Sequence, residues 1–130
     1  MTGLDTNILV RFFTKDEARQ SSRAKKLLQS LTSESPGFIS LVSLIELAWV
    51  LRSRYHLNKA QLILGMERLL NTSELVIENQ SAVTQSLGRF AASKADFADC
   101  LIERSGHMAG CRETVTFDVN ASKSAGMRLL

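Results

Sequence analysis

Proline and cysteine are scarce in this sequence, and no long hydrophobic run occurs. One proline and two cysteines stand among the 130 residues. The low proline content, together with 45% hydrophobic and 22% charged residues, excludes a disordered or fibrous chain and indicates an ordered α-rich or α/β protein. Two cysteines are too few for a disulfide scaffold, and Cys100 and Cys111 form neither a CxxC pair nor a zinc-type spacing, so we expect two idle or buried thiols.

Membrane spans and a secretory signal are also missing. The longest apolar stretch, residues 38–51, is interrupted by Ser40, Ser43 and Glu46, so it is too short and too polar to cross a bilayer. The first residues lack a basic region followed by an apolar run and a cleavage site. We therefore expect a cytoplasmic protein, and its length predicts a single domain over residues 1–130.

The charge is mildly basic, with a formal net charge of +3. Such an excess favours polyanionic partners. Arg19, Arg23 and Lys26 lie four and three residues apart, so they form a basic stripe on a helix, with Lys25 nearby. This stripe has two interpretations, a solvated helix face or a phosphate-binding strip.

Short apolar runs alternate with longer segments of helical period, which predicts an α/β domain with a parallel sheet. We expect Asp16, Ser43 and Asn58 to be the N-caps of the second, third and fourth helices. The predicted strands are residues 2–5, 38–41, 75–78 and 115–118, with an edge strand at 128–130. The predicted helices are residues 8–14, 17–31, 44–55, 59–70, 82–92 and 97–108, and a short helix that ends at Gly126.

Two acids stand in apolar surroundings in the first half of the chain. Asp5, in "MTGLDTNILV", separates a short strand-like start from an apolar helical run. Glu46, in "LVSLIELAWVL", is the only ionisable residue between positions 41 and 51. Because Glu46 shares a helix face with Val42 and Trp49, we expect part of it to face the core, where an unpaired carboxylate costs several kcal/mol. An Arg or Lys partner, or a different compensating group, is then required.

Three further acids occur in the second half. Asp96 and Asp99, in "KADFADCLI", fit the N-cap and the third position of a helix, so capping alone would account for them. Asp118, in "VTFD", ends a strand on which Thr116 points to the same face. This arrangement parallels that of Asp5.

These acids should converge if the sheet is parallel, because open α/β sheets place their sites at the carboxyl ends of the strands. Close carboxylates repel each other by roughly 4 kcal/mol per pair at an effective dielectric near 20. A divalent cation would relieve that repulsion. Oxygen ligands without histidine or thiolate suit Mg²⁺ or Mn²⁺, and such acid clusters chiefly handle phosphates.

The order "LDTNIL", "SLIEL", "DFADCLI" and "TFD" resembles the PIN-domain family, specifically the VapC-type toxins of bacterial toxin–antitoxin pairs. The resemblance covers nearly the whole chain. It implies a three-layer α/β sandwich with a parallel sheet of four to five short strands, and a magnesium- or manganese-dependent endoribonuclease. The implied catalytic residues and metal ligands are Asp5, Glu46, Asp99 and Asp118. The implied supporting residues are Asn7, Ser43, Asp96 and Thr116.

The resemblance also implies partners. These are an RNA substrate and a small antitoxin that blocks the acidic groove, in a homodimer or a toxin–antitoxin hetero-oligomer. Arg11, Lys15 and Arg52 are candidate contacts for substrate phosphates. Residues 60–70, with Ile63, Met66, Leu69 and Leu70, would supply a docking face or a part of the domain core. The chain departs from the family pattern at Gly3, in the first strand, and at Val119 and Asn120, where many relatives carry a basic residue.

Other readings fit the residues less well. A haloacid-dehalogenase-like phosphatase requires a DxD motif, whose second acid is replaced by Asn7. A receiver-like module would need a phosphorylated Asp after the third strand, where Glu78 and Asn79 stand. A metal-binding module that binds RNA or regulates without catalysis stays open, and metal-dependent turnover distinguishes it from a nuclease.

Overall fold

Parallel strands and helices alternate along the chain, which confirms the α/β class. The computed structural model describes all residues from Met1 to Leu130. They form two units, residues 1–78 and residues 79–130. The single domain over residues 1–130 stays a prediction.

The first unit contains a three-stranded parallel sheet in the order β1-β2-β3. Thr2 pairs with Gly37, and Gly37 pairs in turn with Leu75. All three strands therefore end at the same edge of the sheet. The elements are β1 (Thr2–Gly3), α1 (Thr6–Phe13), α2 (Ala18–Ser30), β2 (Gly37–Ile39), α3 (Leu41–Ser53), α4 (Lys59–Leu70) and β3 (Leu75–Ile77).

The core of this unit is built from the aliphatic side chains that the helical period places on one face of each helix. Leu9, Leu44, Leu47 and Leu62 are at most 1% exposed. Gly37 is the middle-strand residue that this packing requires, because a Cβ at that position would lie 2.8 Å from the Leu4 side chain. Strand β2 begins at this glycine, one residue before the predicted start at residue 38.

Two of the predicted N-caps are wrong. Ser40, not Ser43, is the N-cap of α3, since the Ser40 Oγ accepts a hydrogen bond from the Ser43 N–H at 3.1 Å. Glu17, not Asp16, is the N-cap of α2. The carboxylate of Asp16 binds the side chains of Arg11 and Tyr55 instead of capping α2.

The fourth helix begins as predicted, with a capping box. The Asn58 side chain accepts from the Gln61 N–H, and the Gln61 side chain accepts from the Asn58 N–H, both at 2.8 Å. We expect Asn58→Ala to lower the free energy of unfolding by about 1 kcal/mol, because it leaves an N-terminal N–H of the helix without an acceptor. Urea denaturation measures this. Glu67→Ala, an exposed change on the same helix, is the matched control and should stay within about 0.5 kcal/mol of the parent.

The second unit contains two packed helices and a two-stranded parallel sheet. Val115 pairs with Arg128, and Thr116 pairs with Leu129. The five strands of the protein thus form sheets of three and two, whereas we expected one sheet of four to five. The elements are α5 (Gln80–Ala92), α6 (Phe97–Met108), β4 (Val115–Thr116), α7 (Val119–Ser124) and β5 (Arg128–Leu129).

The longest helices of the protein have thirteen residues. None of the helices combines the length and the hydropathy of a membrane span.

Candidate functional site

Asp5 lies at the carboxyl end of β1 and is the N-cap of α1. Its Oδ1 accepts a hydrogen bond from the Thr6 N–H at 2.8 Å, and the residue is solvent-exposed. Asn7 is exposed in the first turn of the same helix. The strand-to-helix junction explains the acid's position between two apolar segments: the carboxylate stays in solvent while Leu4 and Leu9 are buried on either side of it.

Glu46 is exposed in the middle of α3, so the expectation that it partly faces the core is wrong. Val42 and Trp49, which share its face, are 76% and 67% exposed. The core side of α3 is formed instead by Leu44, Leu47, Ala48 and Leu51. A helix that is apolar on nearly every side gives no pattern that distinguishes the two faces. Glu46 therefore needs no buried counter-charge and is accessible to a ligand.

Ser43 lies in the first turn of α3, where its Oγ accepts a hydrogen bond from the Ser40 hydroxyl at 3.2 Å. Glu78 is a further acid at the carboxyl edge of the three-stranded sheet, directly after β3. Its carboxylate accepts from the Leu41 N–H at the start of α3, at 2.9 Å. The sequence offers a weak signal for this residue, namely an acid at a strand end, and the structure gives it a helix-stabilising contact.

Three acids lie near one another in the second unit. Asp96 is the N-cap of α6, as predicted, but its side chain makes no capping hydrogen bond. Asp99 is in the first turn of that helix and is half-buried. Asp118 is the N-cap of α7, with its Oδ1 accepting from the Ala121 N–H at 3.0 Å. The Thr116 hydroxyl accepts from the Asp118 N–H at 3.0 Å and so fixes the backbone that carries this carboxylate.

Asp99 is the electrostatically strained member of this group. Burial raises the pKa of Asp99, and the negative charges of Asp96 and Asp118 raise it further. Asp99 has no ion-pair partner, because the ion pairs of the protein join Arg11, Arg104 and Arg128 to other acids. A cation beside Asp99 would relieve both effects. The donors are carboxylate oxygens alone, and this chemistry fits Mg²⁺ or Mn²⁺.

Within neither unit do three or more His, Cys, Asp or Glu side chains gather closely enough to hold a metal ion. Asp5 and Glu46 belong to the first unit, and Asp96, Asp99 and Asp118 belong to the second. That all the predicted ligands bind the same metal ion stays a prediction.

Glu103 is an acid that our sequence analysis missed, although it follows Asp99 by one helical turn. It is bound by Arg104 through two contacts, Nε to Oε2 at 2.5 Å and Nη2 to Oε1 at 2.7 Å. The hydrogen bond from Arg104 holds the pKa of Glu103 below its ordinary value. This neutralised pair removes Glu103 from the set of free carboxylates around Asp99.

The three candidate phosphate contacts have different surroundings. Arg11 is 16% exposed and forms an ion pair with Asp16. Lys15 and Arg52 are exposed and take no part in an ion pair. Lys15 lines a groove of about 710 Å³ between α1 and α2, together with Phe12 and Lys25.

Asp16 connects Arg11 to Tyr55, whose hydroxyl donates to the Asp16 Oδ2 at 2.8 Å. This hydrogen bond is the main reason that the pKa of Asp16 is lowered, and the charge of Arg11 contributes as well. Because the pKa is lower in the folded state, this interaction stabilises the fold above the unfolded pKa, near 3.9, and the stabilisation is lost as the pH falls through the folded value.

We therefore expect Tyr55→Phe to raise the pKa of Asp16 towards its ordinary value. Carboxyl ¹³C chemical shifts recorded across an acid titration measure it. The matched control is Arg54→Lys, an exposed neighbour that makes no ion pair, which should leave the Asp16 titration unchanged. An unaltered Asp16 titration in Tyr55→Phe would contradict the assignment.

Comparison with known proteins gives a family. The model for the PIN domain matches residues 4–126, which span both units. No curated protein matches the sequence. PIN domains are typically nucleases, that is, hydrolases acting on nucleic acids, and the matched region contains all of the acids described above. Since the match covers nearly the whole chain, this protein belongs to the PIN-domain family.

Proposed function

We propose that the protein is a metal-dependent endoribonuclease that acts as a VapC-type toxin and is neutralised by a cognate antitoxin. The proposed catalytic residues and metal ligands are Asp5, Glu46, Asp99 and Asp118. The observation that carries the proposal is Asp99, a half-buried and unpaired carboxylate near two further acids, in a chain of a nuclease family. A carboxylate whose pKa is raised by burial and by neighbouring negative charges is typical of a site that binds a cation or takes part in a reaction.

Each protein group has a distinct part in this proposal. Asp5 and Glu46 offer exposed carboxylates, and the hydroxyl of Thr116 together with the α7 cap holds Asp118 in place. Asn7 and Ser43 would orient these acids or the attacking water, and Asp96 would act from the outer shell. A bound Mg²⁺ or Mn²⁺ would supply Lewis acidity, which activates water and neutralises the scissile phosphate.

The antitoxin and the RNA are the proposed partners, and the cytoplasm is the proposed compartment. On helix α4, Met66 and Leu69 are buried and Ile63 is half-buried, whereas Leu64 is 61% exposed. Most of the apolar face of residues 60–70 therefore packs within the protein. Two of the five large exposed apolar side chains of the first unit, Val42 and Trp49, lie on α3, and a third, Leu64, lies on α4. We propose that Val42 and Trp49, seven residues apart on one face of α3, belong to a surface that binds another protein, either the antitoxin or a second copy of the chain.

One assay tests the catalytic proposal directly. Purified protein is incubated with total RNA in Mn²⁺, in Mg²⁺ and in EDTA, and the cut ends are mapped. We expect cleavage only with metal, giving 5′-phosphate and 3′-hydroxyl ends. Equal cleavage in EDTA would contradict metal dependence, and intact RNA with every metal would contradict the nuclease proposal.

A binding module without catalysis is the second candidate. It is favoured by one observation: neither unit by itself gathers three metal-binding side chains. This candidate predicts RNA binding without turnover in the same assay, whereas the nuclease predicts new RNA ends.

A further inference from the structure

A second, smaller cavity lies between α1 and α2 in the first unit. It shares only Arg11 with the groove that Lys15 lines. Its volume is about 350 Å³, and four polar side chains line it: Asn7, Arg11, Gln20 and Arg23. Ile8 and Leu27 contribute apolar walls. No acidic side chain lines the cavity, so its lining carries the guanidinium groups of Arg23 and of Arg11, which is paired with Asp16, and two amides beside an apolar surface. We name it the α1–α2 cavity.

Arg11 is held in place by Asp16 and Thr14, neither of which lines the cavity. One of its terminal nitrogens is bound by Asp16 and also donates to the Thr14 hydroxyl at 3.4 Å. Asp16 is in turn fixed by Tyr55. The Nε–H of Arg11 is buried and has no acceptor. A buried donor without a partner is costly, so Arg11, which lines the cavity, keeps an unmet demand for an acceptor.

We propose that the α1–α2 cavity binds one nucleotide of an RNA strand, with Arg11 and Arg23 on its phosphate and with Asn7 and Gln20 on its base or ribose. Guanidinium groups suit phosphate oxygens, and side-chain amides pair with the edges of bases. The apolar walls accept the flat face of the base. This proposal rests on the proposed function, in which Asp5 and Asn7 belong to the same catalytic site. The bound nucleotide would then belong to the RNA strand that is cut at this site.

The size of the cavity favours a nucleotide over an acidic protein segment. A peptide helix has a diameter of about 10 Å with its side chains and would not enter a space of this volume. A single nucleotide matches the lower end of ordinary ligand pockets, roughly 300 Å³. The basic stripe on α2 is also divided by the structure: Arg23 lines the cavity, whereas Arg19 and Lys26 do not.

Arg23→Gln tests the proposal, and Arg19→Gln is the matched control on the same helix. Both arginines are exposed, so neither change should disturb the fold. The probe is a fluorescein-labelled single-stranded RNA of twelve nucleotides, titrated with protein in EDTA and read by anisotropy from 50 to 300 mM salt. We expect Arg23→Gln to weaken binding about fivefold to tenfold and to reduce the slope of log K against log salt by about 0.7, the loss of one phosphate contact. Arg19→Gln should change binding less than twofold.

Gln20→Ala provides a second variant, which should weaken binding while keeping the salt slope of the parent, because it removes a contact without removing a charge. Equal effects of Arg23→Gln and Arg19→Gln would overturn the proposal, since they would show only a general loss of positive charge. Hexaglutamate, titrated in the same way, is the probe for acidic peptides. If Arg23→Gln loses hexaglutamate binding while its RNA binding is unchanged, the proposal is overturned and the cavity is assigned to acidic peptides.

The EDTA titration separates this proposal from the proposed function. Selective weakening by Arg23→Gln in a protein that never cuts RNA would support the cavity and contradict the nuclease. Metal-dependent cleavage with equal RNA binding by the parent and Arg23→Gln would support the nuclease and overturn the cavity.

Discussion

Replacing Asp99 with asparagine is expected to reduce metal-dependent RNA cleavage by about a thousandfold, because the change removes one charged ligand of the proposed catalytic metal. Asparagine keeps the size of the side chain and avoids a new cavity in the half-buried position. The measurement is the rate at which new 5′-phosphate ends appear with saturating Mn²⁺. A thermal-shift titration with Mn²⁺ should show weaker binding in the same variant.

The same variant should fold as well as the parent. In EDTA the parent carries the cost of placing a partly buried charge near Asp96 and Asp118, and Asp99→Asn removes that cost. The free energy of unfolding should therefore be unchanged or higher in a urea titration. A loss of several kcal/mol would contradict the assignment and would make Asp99 a structural residue.

Two substitutions of Asp118 separate its proposed role as a metal ligand from its role as the N-cap of α7. Asp118→Asn keeps an oxygen that accepts from the Ala121 N–H, so the start of α7 should be preserved. Asp118→Ala loses this acceptor and should lower stability by about 1 kcal/mol. Both variants should lose cleavage. Wild-type cleavage by Asp118→Asn would remove this residue from the proposed ligands.

Expression of the protein alone should arrest the growth of a bacterial host, and co-expression of the proposed antitoxin should restore it. The physical reason is that an unblocked ribonuclease degrades RNA, whereas an antitoxin arginine or lysine placed among the carboxylates would compete with the metal. Colony counts and growth curves after induction measure the effect. Arrest should reduce colony-forming units by orders of magnitude.

Asp5→Asn is the matched control for toxicity. Asparagine is as good an N-cap as aspartate, so α1 should still form, and the variant should be harmless at equal soluble expression. Growth unaffected by the soluble parent protein would count against the toxin proposal and leave a housekeeping nuclease as the remaining nuclease function. Arrest by Asp5→Asn as strong as that of the parent would show that toxicity does not require this acid.

Local signals in the sequence determined most helices of this protein. Helix α6 begins and ends at the predicted residues, Phe97 and Met108, and Asn58 caps α4 as expected. These features depend on neighbours within one or two turns, where capping hydrogen bonds and helical period act. The five short strands were also predicted in order, with positions correct to within a few residues. The sequence by itself also carries the ordered acidic motifs that resemble the PIN-domain family.

The tertiary structure decided which partner each side chain meets. Asp16 has the chemistry of an N-cap, yet it binds Arg11 and Tyr55, and the latter is distant in sequence. Glu46 and Trp49 are exposed although their helix is apolar on almost every side. Strands of two or three residues carry too little alternation to specify how they pair, so the division into sheets of three and two required the folded backbone. Local residue chemistry chooses the elements, whereas pairing and burial depend on contacts between segments that lie far apart in the chain.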